Sequence, residues 1–162
     1  MEIRDLGPGD LEQLEDLIKE IYSERPSAMW FESPPDSYAI RKLFDYKLKG
    51  IGEGRIVDVV AETGSALLGE CEIVNLPGGM GYVGLLVRKG SRLQGLGRSL
   101  LLAASKSAKA LGTTLLRSDV TEDNGAAVEF FRKNGFNESG PARRSVTING
   151  KAYLVTTLEK QI

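Results

Sequence analysis

Tyr82-Val83-Gly84-Leu85-Leu86-Val87 runs without a charged residue, gives way at once to Arg88-Lys89-Gly90-Ser91-Arg92-Leu93-Gln94-Gly95-Leu96-Gly97, and leads into a helical pattern that closes at Gly112. Strand, glycine-rich loop and helix follow one another directly. Leu100, Leu101, Ala104, Ala108 and Leu111 recur at helical spacing, while Arg98, Ser105, Lys106 and Lys109 fall off that stripe. Such a junction aims unpaired backbone N–H groups and the positive end of a helix dipole into one concavity, which is a place to hold phosphates. Arg98 in the first turn opposes that dipole at a cost of about 0.3–1 kcal/mol, which a bound anion would reverse; the plain alternative is an arginine screened by solvent.

The loop does not fit two common phosphate binders. A Walker loop needs Lys and Ser/Thr after its second glycine, but Leu96 follows Gly95, which argues against a nucleotide triphosphatase. A dinucleotide fingerprint needs a third glycine where Leu100 stands, although Asp119 lies near the expected acidic position; this match is partial.

Arg92-Leu-Gln-Gly95-Leu-Gly97, five residues after Val87, resembles the acyl-CoA loop R/Q-x-x-G-x-G/A of the GNAT superfamily of N-acetyltransferases. Asn124-Gly-Ala-Ala127-Val-Glu-Phe-Phe131-Arg-Lys-Asn-Gly135-Phe136 is similar to the superfamily's second cofactor motif, N-x-x-A…Y…G-F, with Phe131 where tyrosine is usual. The resemblance implies acetyl-CoA as cofactor and direct transfer of its acetyl group to a primary amine, on a small molecule or a peptide, within a ternary complex. It implies that Leu85, Leu86 and Val87 line the pantetheine arm, with the Val87 N–H near the thioester carbonyl. Backbone N–H groups of Gln94, Gly95, Leu96, Gly97, Arg98 and Ser99 would hold the pyrophosphate, with charge from Arg92. Asn124 would reach pantetheine or phosphate, or simply cap its helix, and Phe131 would pack by the cofactor's sulfur.

The rest of the chain suits one domain spanning residues 1–162. At 162 residues, 41% hydrophobic and 27% charged, it can bury a sizeable core. A net charge of −1 offers no overall basic field for nucleic acid or an anionic membrane, and no run approaches membrane-spanning length. One cysteine, Cys71, cannot form an internal disulfide, so a reducing cytoplasm is the expected home; pairing of two copies stays open.

Glu2–Leu6 reads as a short strand, and Asp10 is expected to cap a helix whose apolar stripe is Leu11, Leu14, Leu17, Ile18 and Ile21. The segment 23–37 holds three prolines together with Met29, Trp30 and Phe31, rings that either pack beneath a second helix at 36–48 or wall an acceptor site. Segments 56–62 and 66–74 form a hairpin, and 82–87, almost wholly apolar, is expected to be buried on both faces. Segments 113–120, 124–134, 145–148 and 153–158 complete a β-α-α-β-β-β-α-β-α-β-β order. The expectation is an α+β fold with a mixed, mostly antiparallel central sheet flanked by helices.

Acetyl transfer needs a neutral amine, a stabilised oxyanion and a proton for the departing thiolate. Histidine is absent and 82–87 contains no carboxylate. Glu72, and less so Glu70, two residues apart on one strand face, are the candidate bases. Tyr153 is the candidate acid that stands in for the tyrosine missing at Phe131. Cys71 points to the opposite face as core filling. Two other classes remain: a non-catalytic acyl-CoA-binding module and, more distantly, a dinucleotide enzyme.

Overall fold

The computed structural model describes residues 1–140 and 144–162. Its element order is β1 (Glu2–Asp5), α1 (Leu11–Glu24), α2 (Ser37–Gly52), β2 (Ile56–Thr63), β3 (Ala66–Leu76), β4 (Met80–Val87), α3 (Leu96–Ala110), β5 (Leu115–Thr121), α4 (Gly125–Lys133), β6 (Asn137–Glu138), β7 (Arg144–Ile148) and β8 (Lys151–Gln161). Single 3-10 turns stand at Pro26–Ala28 and Lys89–Ser91. The strands form one sheet in the order β1-β2-β3-β4-β5-β8-β6, with β7 on β8. Every pair is antiparallel except β4 with β5. The mixed, mostly antiparallel sheet expected from the sequence is therefore present, with β6 as an unexpected short addition.

Two apolar layers sandwich this sheet. On one face Val57, Val59, Cys71, Ile73 and Val83 pack against Leu100, Leu101, Ala104 and Ala108 of α3 and against Phe131 and Phe136. On the other, Val60 and Leu67 pack against Leu14, Leu17, Ile18 and Ile21 of α1 and Ile40 and Phe44 of α2. The helical stripes of the sequence are these packing faces. The closing hairpin turns through Asn149 (φ 50°) and Gly150 (φ 76°), both in the left-handed region that a two-residue type I′ turn requires.

Three expectations need correction. Asp10 precedes α1 but makes no side-chain cap; its carboxylate accepts from the Gly7 N–H (2.7 Å) and from both terminal nitrogens of Arg4 (2.8 Å each), because an ionic partner outcompetes the helix amide. The second helix runs four residues past 48, to Gly52. β4 is central but not buried on both faces: Val83 is buried, yet Gly84 is exposed and Leu85, Leu86 and Val87 are half-buried.

The cause lies in the β4–β5 pairing. The parallel ladder holds only from Met80 to Tyr82 against Leu115 to Arg117. Beyond it the strands part, with the Ser118 hydroxyl donating to Val83 C=O (3.1 Å) at the fork. Leu85–Val87 keep their ladder to β3 but, among the described residues, have no strand on the β5 side. An opening in a sheet exposes backbone groups that need partners, which suits a ligand.

Candidate active site

The fork is where the site forms. A cavity of about 500 Å³ extends from Leu85, Leu86 and Val87 past Arg92, Leu93, Gly95, Gly97 and Arg98 to Asn124, Phe130 and Phe131 on α4, with Ile21 and Ala28 on its far wall. A second cavity, of about 250 Å³, lies between Met29, Trp30, Phe31 and Leu43 and the strand residues Glu70, Glu72 and Gly84. The two share Ala28, Leu85 and Leu86, so they meet at the fork.

In the larger cavity, Gly95 precedes α3 with φ +82°, and an added Cβ there would meet nothing within 4 Å. A left-handed residue at a helix start, with open space above it, is a cradle for an incoming group. Unlike α2, capped by Asp36, and α4, capped by Asn124 accepting from the Ala127 N–H (3.3 Å), α3 has no side chain among the described residues on its first-turn amides. The Ser99 N–H donates to Gly95 C=O (3.0 Å), which leaves the amides of Gly95–Arg98 for an anion to satisfy. Gly97 has less room, since a Cβ there would come within 3.1 Å of the Phe130 ring. Leu93 is fully exposed at φ +61° on the cavity's rim, a strained backbone for a leucine.

Arg92 is placed beside the loop but is not free. Its Nε donates to Val87 C=O (2.8 Å) and its terminal nitrogens contact Glu24 at 2.5 and 2.8 Å. That guanidinium holds the Glu24 carboxyl below the usual range. Asn124 lies at the cavity and caps α4 at once. Phe131 is buried edge-on to Phe130 (5.4 Å) and Phe136 (4.9 Å), with part of its ring on the cavity wall.

The smaller cavity has a charged floor that the sequence pattern did not anticipate. Lys47 on α2 is 4% exposed and its Nζ contacts Asp58 (2.8 Å), Glu70 (2.8 Å) and Glu72 (2.5 Å). Burial disfavours this ammonium, but Glu70, Asp58 and Glu72 outweigh it and hold its pKa well above that of an ordinary lysine. Asp58 keeps its Oδ1 buried without a partner among the described residues; burial, reinforced by Glu70, pushes its carboxyl well up. Glu70 is buried, whereas the Glu72 side chain is 23% exposed. Glu70 and Glu72 are therefore not free strand glutamates but partners in a buried ion cluster. Lys47 and Asp58 had a signal: a lysine on the apolar stripe Ile40-Phe44-Lys47 and an aspartate inside Ile56-Val57-Asp58-Val59-Val60.

Trp30 and Phe31 both line this cavity, with different surroundings. Phe31 packs on the α1–α2 core and stands edge-on to Tyr22, while Trp30 is 43% exposed under the Arg144 guanidinium. Tyr153, on β8 under Lys151, lines neither cavity. Cys71 is buried on the α3 face, away from Glu70 and Glu72, and burial pushes its thiol well up. Among the described residues no helix is long and apolar enough to cross a membrane.

The chain is similar in fold to several solved structures, though distant in sequence. A ribosomal-protein-alanine N-acetyltransferase from Brucella melitensis superposes with TM-score 0.85 at 20% identity, covering 100% of both chains. A spermidine N-acetyltransferase from Vibrio cholerae, solved with CoA and spermine, gives 0.78 at 22% identity over 99% of this chain and 94% of the other. A phosphinothricin acetyltransferase from Sinorhizobium meliloti, in complex with acetyl-CoA, gives 0.81 at 18% identity over 99% and 88%. No curated protein sequence matches the chain. The profile of the acetyltransferase (GNAT) family matches residues 11–136, which takes in both cavities and the loop between them. The chain belongs to the acetyltransferase (GNAT) family.

Proposed function

We propose that this acyltransferase moves the acetyl group of acetyl-CoA to a primary amine by direct attack within a ternary complex. The observation that carries the proposal is the meeting of two cavities at Leu85 and Leu86, on the stretch of β4 that has lost its β5 partner. One cavity offers a glycine loop and an uncapped helix, the other two carboxylates. Two substrates can thus reach one strand from opposite ends, with no covalent relay through the chain.

The residues fit acetyl-CoA. Backbone N–H groups of Gln94–Arg98 at the open start of α3 would hold the pyrophosphate, the Ser99 N–H being already given to Gly95 C=O (3.0 Å), and Arg92 is within the cavity to add charge. Leu85, Leu86 and Val87 would line the pantetheine arm with Asn124 and Phe131 opposite. When bound, acetyl-CoA supplies a thioester whose C–S bond breaks as the C–N bond to the amine forms. The Val87 N–H, on the side of β4 that β5 has left, would donate to the carbonyl oxygen as negative charge develops there. Glu72, the part-exposed carboxylate of the floor, is assigned to take the amine's proton, directly or through water. The proton on the leaving sulfur comes from solvent, because Phe131 has no hydroxyl and Tyr153 stands away from both cavities.

A non-catalytic acyl-CoA-binding module draws on that missing hydroxyl, but it leaves the carboxylate-floored cavity without a purpose. Thiol release from acetyl-CoA across a panel of primary amines tests the reading. Amine-dependent release supports transfer, and CoA binding without release under any amine leaves only the module.

A further inference from the structure

We propose that the cavity over Gly84 takes an apolar primary amine with no carboxylate near its nitrogen, and that the missing side chain at Gly84 sets the cavity's size. This rests on the transferase reading above and names its acceptor. Gly84 lies inside β4, directly opposite Glu72 in the antiparallel ladder, so the two share a face of the sheet. Its φ lies outside the left-handed region and an added Cβ meets nothing within 4 Å. The backbone therefore has no need of glycine here. A glycine within a strand weakens it, and one without a backbone reason marks the close approach of another group.

The walls and floor of the cavity describe that group. Met29, Trp30, Phe31 and Leu43 face an apolar stem. The floor holds one cation, Lys47, against Glu70 and Glu72, with Asp58 behind them. Even with a proton on Asp58, two carboxylates face one ammonium, so an excess negative charge remains. Among the described residues lining the cavity Lys47 is the only cation, and it is already held by three carboxylates. Arg144, stacked over Trp30 at the rim, is tied to Asp119 at 2.5 Å. The floor favours an incoming ammonium and repels an incoming carboxylate. At roughly 6 Å and an effective dielectric of about 20, that repulsion corresponds to about 100-fold in binding. A zwitterionic amino acid is therefore a poor acceptor, whereas its amide or its decarboxylated analogue is a good one.

Three compounds of one skeleton isolate the charge: phenethylamine, phenylalaninamide and phenylalanine, each assayed for thiol release from acetyl-CoA. The expected result is turnover of the first two, with kcat/KM for phenylalanine lower by about 100-fold. Gly84→Val should bind CoA within about twofold of wild type and lose at least about tenfold in kcat/KM for phenethylamine, mostly through KM. Gly84→Ala, a smaller intrusion, should move the same way if valine unfolds the strand. Phenylalanine turned over as well as its amide overturns the charge argument. Unchanged amine kinetics in a folded Gly84→Val places the acceptor elsewhere. Both of those outcomes leave the transferase intact, whereas absence of thiol release with every amine removes the transferase and this proposal together.

Discussion

Arg92 and Glu24 form a two-point ion pair, at 2.5 and 2.8 Å, that ties the glycine loop to the end of α1 across the mouth of the larger cavity. A neighbouring pair, Arg88 with Glu20, repeats the link one turn earlier. Both partners of the Arg92 pair are part-exposed, so it is worth little to stability. Its effect is on the loop: Glu24 competes with a phosphate for the same guanidinium. Glu24→Gln should tighten CoA binding by about 2–5-fold and Arg92→Ala should weaken it by about 3–10-fold. Calorimetry with CoA reads both, and weaker binding by Glu24→Gln would show that the pair presents the loop rather than competes for it.

Gly95→Val should abolish CoA binding in a protein that still folds. A β-branched residue at φ +82° costs about 1–2 kcal/mol in backbone strain, which a chain of this size tolerates. An added Cβ meets nothing within 4 Å, so the side chain grows into the space that the phosphate needs. A folded variant with unchanged CoA affinity would refute the loop assignment.

Trp30 and Phe31 should separate although they are neighbours. Phe31→Ala removes a ring packed on the α1–α2 core and should lower stability by about 2 kcal/mol. Trp30→Ala loses a cation–π contact worth under about 1 kcal/mol, so its melting temperature should barely move while KM for the amine rises. Thermal melts beside amine kinetics distinguish the two rings, and unaltered amine kinetics for Trp30→Ala would free it from any acceptor role.

The Lys47 cluster predicts a pH signature. Asp58 has its pKa raised in the fold, so the folded chain binds more protons than the unfolded one. The stability Asp58 lends is complete below the ordinary value of 3.8 and is lost as pH rises through the raised one. Lys47 is raised above 10.5, so its stabilisation is undiminished throughout that range. Asp58→Asn should therefore gain in melting temperature on wild type as pH goes from about 5 to about 8. Lys47→Met, which strands three carboxylates, should cost about 3–5 kcal/mol at neutral pH and recover part of it in acid. A pH-independent gap between wild type and Asp58→Asn would mean that Asp58 is ionised throughout.

Much of this was legible in the chain. Helix stripes, hairpin turns and the glycine loop carry local periodicity, and each maps to an element of the structure. Leu85–Val87 show where that stops: an apolar run reads the same whether it is buried or walls a cavity, and the distinction came from β4 parting from β5. Asp10 shows a second boundary, since a capping residue beside Arg4 of β1 takes the ionic partner. Gly84 and the Lys47 cluster depend on strand register and helix docking, which bring residues 47, 58, 70, 72 and 84 together from four elements. Tyr153 was put forward by chemistry alone; it pairs with Val146 of β7 and lines neither cavity.

Direct transfer between two substrates that meet at Leu85 and Leu86 is tested by a single-turnover experiment with an excess of protein over acetyl-CoA. Before amine is added, no thiol should appear and the mass of the chain should stay unchanged. After an accepted amine is added, thiol and acetylated amine should rise together at one rate. A burst of thiol before the amine, with the chain heavier by one acetyl group, would contradict direct attack, and no thiol after it would contradict transfer altogether.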